Sequence, residues 1–150
     1  MRKFLLLIYT VAVSLWCTSC GMELRYGNVP FEVNDIYYSV LDNAKVVENV
    51  YYSQSAFAKD FKAAVSGQET LGKLVDFDSH FAVTITDVVG DVMKDIEIVE
   101  VLERDYVLYV KFRIKEGKKV DYKVHPCMVA SISREYDGYE VAFIDITDWK

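Results

Sequence analysis

The chain has 150 residues, with 17 Lys and Arg against 23 Asp and Glu, a net charge of −6. That length suits a single domain with a real core. The acidic balance argues against nucleic acid as a partner and against electrostatic attraction to anionic lipid.

The first twenty residues stand apart. Arg2 and Lys3 give a positive start, Phe4 to Trp16 carries no charge, and the small residues Cys17-Thr18-Ser19 precede Cys20. These are the three parts of a secretory signal. The apolar run falls short of the roughly 20 residues that a membrane span needs. The window Cys17-Thr18-Ser19-Cys20 resembles a bacterial lipobox, although leucine is commoner where Cys17 stands. The resemblance implies removal of residues 1–19, lipid on Cys20, and a diderm bacterial host. Cleavage before Cys17 competes, but bulky Trp16 would then occupy the small-residue slot; an ordinary signal without lipid is the other alternative. Each buried methylene contributes about 0.8 kcal/mol, so several acyl chains hold a protein on a membrane essentially permanently. The expected location is the cell envelope, anchored by lipid to a bacterial membrane, with the outer membrane preferred.

Cleavage would leave 150 − 19 = 131 residues with a net charge of 15 − 23 = −8, because residues 1–19 hold two basic residues and no acidic ones. Cys17 leaves with the signal and Cys20 is modified, so Cys127 is the lone thiol of the domain and no internal disulfide is expected. Its apolar neighbours Met128, Val129 and Ala130 predict burial.

Gly21 to Pro30 has no period and reads as a tether, leaving 31–150 as one globular domain. Phe31 to Val40 and Lys45 to Tyr52 each read as a strand, separated by Asp42-Asn43. Ser53 or Ser55 offers an N-cap, and Phe57, Phe61 and Val65 recur at helical spacing, which predicts a helix over Ser55 to Val65 that Ser66-Gly67 stops. Gln68 to Leu74 reads as a loop. From Asp76 the period becomes two. Phe81, Val83 and Ile85 alternate with Ala82, Thr84 and Thr86; Leu108, Val110, Phe112 and Ile114 alternate with Val107, Tyr109, Lys111 and Arg113; Val120, Tyr122 and Val124, then Met128, Ala130 and Ile132, continue the pattern. Half-buried antiparallel strands follow from this alternation. Arg104-Asp105, Glu116-Gly117-Lys118 and Asp137-Gly138 sit where hairpin turns are needed, the last as a type I′ turn. The expected fold class is α+β: an antiparallel β-rich sheet or barrel-like domain, a meander of about six strands, with one amphipathic helix packed on it.

Chemistry-bearing motifs are sparse. His125 and Cys127, two apart on a strand, are soft-metal ligands, but the sequence has only one other histidine, His80, so no metal is expected. Asp76 with Asp78, and Asp91 with Asp95, read as solvated strand ends rather than as a calcium loop or an acid–base pair. The chain contains no G-x-S-x-G, P-loop or G-x-G-x-x-G motif. No enzyme activity and no cofactor are expected. Two groups are candidate binding residues. Tyr37-Tyr38 and Tyr51-Tyr52 are adjacent pairs in strands, so one of each pair should face away from the core and suit recognition. Gly90, Asp91, Val92 and Met93 read as an exposed loop between strands that could insert into a partner.

Three segments carry a resemblance. Val50 to Phe57 leads into the helix, Val75 to Val83 leads into a strand, and His125 to Ile132 forms a late strand. Together they resemble small exported lipoproteins of Bacteroides-type bacteria that are similar to the C-terminal domain of the PrcB protease-complex accessory proteins. The resemblance spans roughly Lys45 to Ile146 and implies a non-catalytic domain that binds or modulates a protease. Where that family carries a glycine-rich turn, this chain has only Gly90. The reading from sequence is a membrane-anchored lipoprotein whose domain binds another envelope protein, with a protease as the implied partner. The alternative is an envelope lipoprotein that binds a small ligand or glycan.

Overall fold

A computed structural model describes residues 26–66, 69–70 and 72–149. The signal segment 1–19, Cys20, residues 21–25 of the tether and Gly67 of the expected helix stop lie outside the described residues.

The elements in chain order are β1 (Tyr26–Asn28), β2 (Phe31–Val33), β3 (Tyr37–Ser39), β4 (Val47–Tyr51), α1 (Gln54–Asp60), β5 (Phe61–Ala63), β6 (Val65–Ser66), β7 (Glu69–Thr70), β8 (His80–Thr86), β9 (Gly90–Arg104), β10 (Val107–Val124), β11 (Cys127–Ser133), a single 3-10 turn (Arg134–Tyr136) and β12 (Glu140–Asp145). Two four-stranded sheets form the body, in the orders β1-β9-β10-β12 and β2-β11-β8-β4; β3 pairs with β5, and β6 with β7. The domain is α+β, mostly strand, with one helix packed on antiparallel sheets.

The two large sheets share one core. Phe81, Val83 and Ile85 of β8 and Ala130 and Ile132 of β11 meet Ile96, Ile98 and Val101 of β9 and Leu108, Val110 and Phe112 of β10. The opposite face of β8 and β11 forms a second core, where Ala82 and Val129 meet Tyr51, Phe57, Phe61 and Val75. The alternation at β8 therefore divides residues between two cores rather than between core and water. Every residue from Phe81 to Thr86 is buried, which corrects the half-buried expectation for this strand.

Several local expectations change. The sheet takes up the chain from Tyr26, and Val29 is already core, so the domain starts earlier than residue 31. The expected strand Phe31 to Val40 breaks at Asn34. There the backbone N–H donates to Val129, the buried side-chain amide donates to the Lys73 carbonyl, and the chain turns out of the sheet to pair as β3 with β5. Asn-Asp favours such a turn, because both side chains compete for local backbone groups. Ser53 is the N-cap, accepting from the Ala56 amide, but the helix stops at Asp60 rather than Val65. Phe61 is extended (φ −132°, ψ 142°), while its N–H still closes the last helical bond to Phe57. Pairing of β5 with β3 overrides the helical period, and both phenylalanines remain in one core with their rings stacked at 4.9 Å.

The turns also redistribute. Glu116-Gly117-Lys118 is no turn, because β10 continues through it to Val124. Glu116 pairs with Lys94 and Lys119 with Val92, so Gly117 and Lys118 together face Met93 as a β-bulge. A Cβ on Gly117 would approach the Met93 carbonyl oxygen to 3.0 Å, a reason for glycine unrelated to turning. Asp137 (φ −57°, ψ 136°) and Gly138 (φ +84°) form a type II turn, not type I′, closed by Tyr139 N–H to the Tyr136 carbonyl. It leads into β12, which runs parallel to β10 in the other sheet, so the expected hairpin between β11 and β12 does not form. The two-residue turn with positive φ at both positions is Asp105-Tyr106, between β9 and β10.

Candidate functional site

The Gly90–Met93 segment is the start of β9 rather than a loop: Gly90 pairs with Val124 and Val92 with Lys119. Asp91 forms an ion pair with Lys119 at 3.0 Å, Val92 is half-buried, and Met93 is exposed beside the Gly117 bulge. A shallow cavity of about 440 Å³ lies there, lined by Met93, Lys94, Asp95, Lys115, Gly117 and Lys118 among others. The segment is fixed by the ladder and does not project as an inserting loop.

The four tyrosines divide as strand alternation demands. Tyr37 and Tyr51 turn inward: the Tyr37 hydroxyl accepts from the Val75 amide at 3.0 Å, and the Tyr51 hydroxyl donates to Asp60 at 2.8 Å. Burial, then the bond to Asp60, pushes the Tyr51 phenol up to about 12. Tyr38 and Tyr52 turn outward, 51 % and 42 % exposed. Tyr52 tilts over Phe81 with ring centroids 5.2 Å apart, and Tyr38 lies across from Lys62.

His125 and Cys127 part company. The His125 Nε2 lies 2.9 Å from Asn43 Oδ1, while the Cys127 thiol lies 3.6 Å from the Tyr37 carbonyl, against β3. Burial pushes the Cys127 thiol up, the direction of an inert thiol. Among the described residues, no three His, Cys, Asp or Glu side chains come together as a metal cluster.

Asp76, Ser79 and His80 do form a chain of contacts. The Ser79 hydroxyl donates to Asp76 Oδ2 at 2.6 Å and lies 2.7 Å from His80 Nδ1. The serine proton is thus committed to Asp76 rather than to the imidazole, the reverse of a nucleophile and its base. The group closes the turn into β8, with the His80 amide donating to the Asp76 carbonyl. The Ser79 hydroxyl, then the Asp78 amide, holds the Asp76 carboxyl below its ordinary 3.8. A depressed folded-state pKa gives stability that is present above the unfolded value and lost as pH falls through the folded one. Asp76→Asn is therefore expected to destabilise at neutral pH, with a difference from the parent that vanishes in acid below the folded pKa. Denaturation midpoints across that range check the prediction; a difference that grows in acid would contradict it.

Sequence reasoning missed a polar knot at one end of the sheets. Asp87 is buried and pairs with Lys94 at 2.7 Å, with side chains 5 % and 22 % exposed. Asn43 donates to the carbonyls of Lys45 and Asp87, and the Asp87 amide donates to the Pro126 carbonyl. The knot ties the lead into β4, the end of β8 and the lead into β11. Beside it lies a cavity of about 230 Å³ lined in part by Asn34, Tyr37, Lys94, Asp95 and Cys127. Nothing local marks these residues, because the pairing is set by where the strands end. Lys94→Met would leave the Asp87 carboxylate buried and unpaired, at an expected cost of about 2–3 kcal/mol. The double variant Lys94→Met/Asp87→Asn should recover most of that loss in the same denaturation assay; no recovery would show that the two charges do not act as a pair.

The remaining feature is an edge. β12 pairs on one side with β10, from Val107 opposite Glu140 to Phe112 opposite Asp145, and no described strand lies on its other side. Between the acidic ends Glu140 and Asp145 stand Val141, Ala142, Phe143 and Ile144, all partly exposed. Val141 and Phe143 pack on the shared core. The edge thus carries an apolar run without lysine or proline, the residues that usually blunt such edges.

No family model, curated protein or solved structure matches the chain.

Proposed function

We propose that this chain is an exported lipoprotein, held on a bacterial membrane through lipid on Cys20, whose domain binds another envelope protein without catalysing a reaction. The open edge of β12 is the observation that carries the binding role. A six-residue strand with apolar side chains and unpaired backbone groups on one side is a template for an added strand. An extended segment of the partner would pair with the β12 backbone and set its side chains beside Ala142 and Ile144. A protease is the first partner to test, on the resemblance to the protease-complex accessory domains. The small-ligand reading has less support, since the cavity beside Asn34 falls below the roughly 300 Å³ of ordinary ligand pockets.

The test is a photocrosslinking residue at Ile144 of the lipidated protein in its native envelope, with Tyr122 as the comparison position. The expected result is one identified envelope protein joined from Ile144 and not from Tyr122. Adducts that are the same from both positions, or absent from both, would overturn the role of the edge.

A further inference from the structure

The end of the domain nearest Cys20 is built of tyrosines. Tyr26, the first described residue, pairs with Arg104, and β1 runs antiparallel to β9, so the chain enters the sheet from the side of the β9–β10 hairpin tip. Tyr26 is 74 % exposed and Tyr106, at the tip itself, is 55 % exposed. The Tyr106 ring meets Tyr139 edge-on at 5.3 Å, and Tyr139 meets Tyr136 at 5.6 Å.

The backbone makes this display costly. Tyr106 has φ +65°, at the second position of a turn where glycine is the usual residue. A bulky side chain at positive φ is an outlier, and such strain concentrates where a function requires it. The tip is also balanced in charge within an acidic protein, since Arg104 lies 3.5 Å from Asp105. Exposed Glu135 and Glu140 flank it, which disfavours anionic lipid and leaves the neutral interface as the surface it suits.

From these observations we propose that the hairpin tip, through Tyr26 and Tyr106 with Tyr139 behind them, docks on the lipid–water interface of the membrane that carries the Cys20 lipid. This rests on the Cys20 anchor proposed above. Covalent geometry does the targeting: six Cα steps from Cys20 to Tyr26 span at most about 20 Å. Tyrosine has an apolar ring and a polar hydroxyl, and it concentrates at headgroup depth for that reason. The opposite end of β9, with Lys115, Lys118, Lys119 and Lys123 on the facing strand, then stands roughly 45 Å out from the bilayer at the ordinary rise per residue.

The test uses the full lipidated protein in phosphatidylcholine vesicles, with Cys127→Ser and a single nitroxide at either Arg104→Cys or Lys119→Cys. The readout is the accessibility of the label to oxygen relative to a water-soluble nickel chelate. The expected result is a ratio several-fold higher at position 104 than at 119. The pair Tyr26→Ser with Tyr106→Gly should lower the first ratio to the second, while vesicle flotation and melting temperature hold, because glycine relieves the positive φ. Floating protein with equal, water-like ratios at both positions overturns the docking and leaves the anchor standing, as does a high ratio at 104 that survives loss of both tyrosines. Protein that does not float fails the anchor, and the docking falls with it.

Discussion

Phe112→Ala is expected to cost about 3–5 kcal/mol of folding stability, the usual range for removing a large aromatic from a core. Phe112 has no exposed surface and lies on β10 where the two large sheets meet. Its neighbours Val110 and Leu108 on the same strand, and Phe81, Val83 and Ile85 across the gap, are all fully buried, so nothing mobile can fill the void. The urea midpoint should fall with an unchanged m-value. A loss under about 1 kcal/mol would mean that the phase of β10 is wrong and that Phe112 faces outward.

Phe57→Ala is expected to cost a similar amount, about 3–5 kcal/mol, in the other core. Phe57 is the buried residue of a seven-residue helix that has little stability of its own. Four rings surround it: Tyr37 and Phe61 at 4.9 Å, Phe77 at 5.4 Å and Tyr51 at 5.5 Å. Each pair adds about 0.5–1.5 kcal/mol beyond area burial, which places the cost toward the upper end. Because β8 alternates its residues between the two cores, both variants should shift one cooperative transition. A Phe57→Ala protein that melts in two steps would show that the helix layer unfolds separately from the sandwich.

How far the sequence could be read depended on where the determinants lie. The strands carrying Phe81 to Thr86 and Leu108 to Ile114 were legible because alternation is local. Which face met water was not legible at β8, since Thr84 and Thr86 look solvent-facing and are buried under the second layer. The helix was overlong for a related reason: Phe57 and Phe61 satisfy a helical spacing, yet both reach the same core with Phe61 in a strand. Turn chemistry misled at Gly117, where a close approach to Met93 rather than a reversal requires glycine. It also misled at Asp105-Tyr106, where the tightest turn has no glycine at all. The inward–outward split of Tyr37-Tyr38 and Tyr51-Tyr52 followed from the period of two. The free β12 edge was invisible, because it depends on a parallel pairing with β10 across more than thirty residues of sequence. The Asp87–Lys94 pair was hidden likewise: two strand ends meet that no local pattern connects.

The address at Cys20 underlies both the binding role and the orientation of the tyrosine end. Intact-mass analysis of the protein purified from envelopes tests it most directly. The account predicts a mature chain that begins at Cys20 and carries the mass of several acyl chains, lost in a Cys20→Ala variant. A mature chain that begins elsewhere, or one that begins at Cys20 with no added mass, would contradict it.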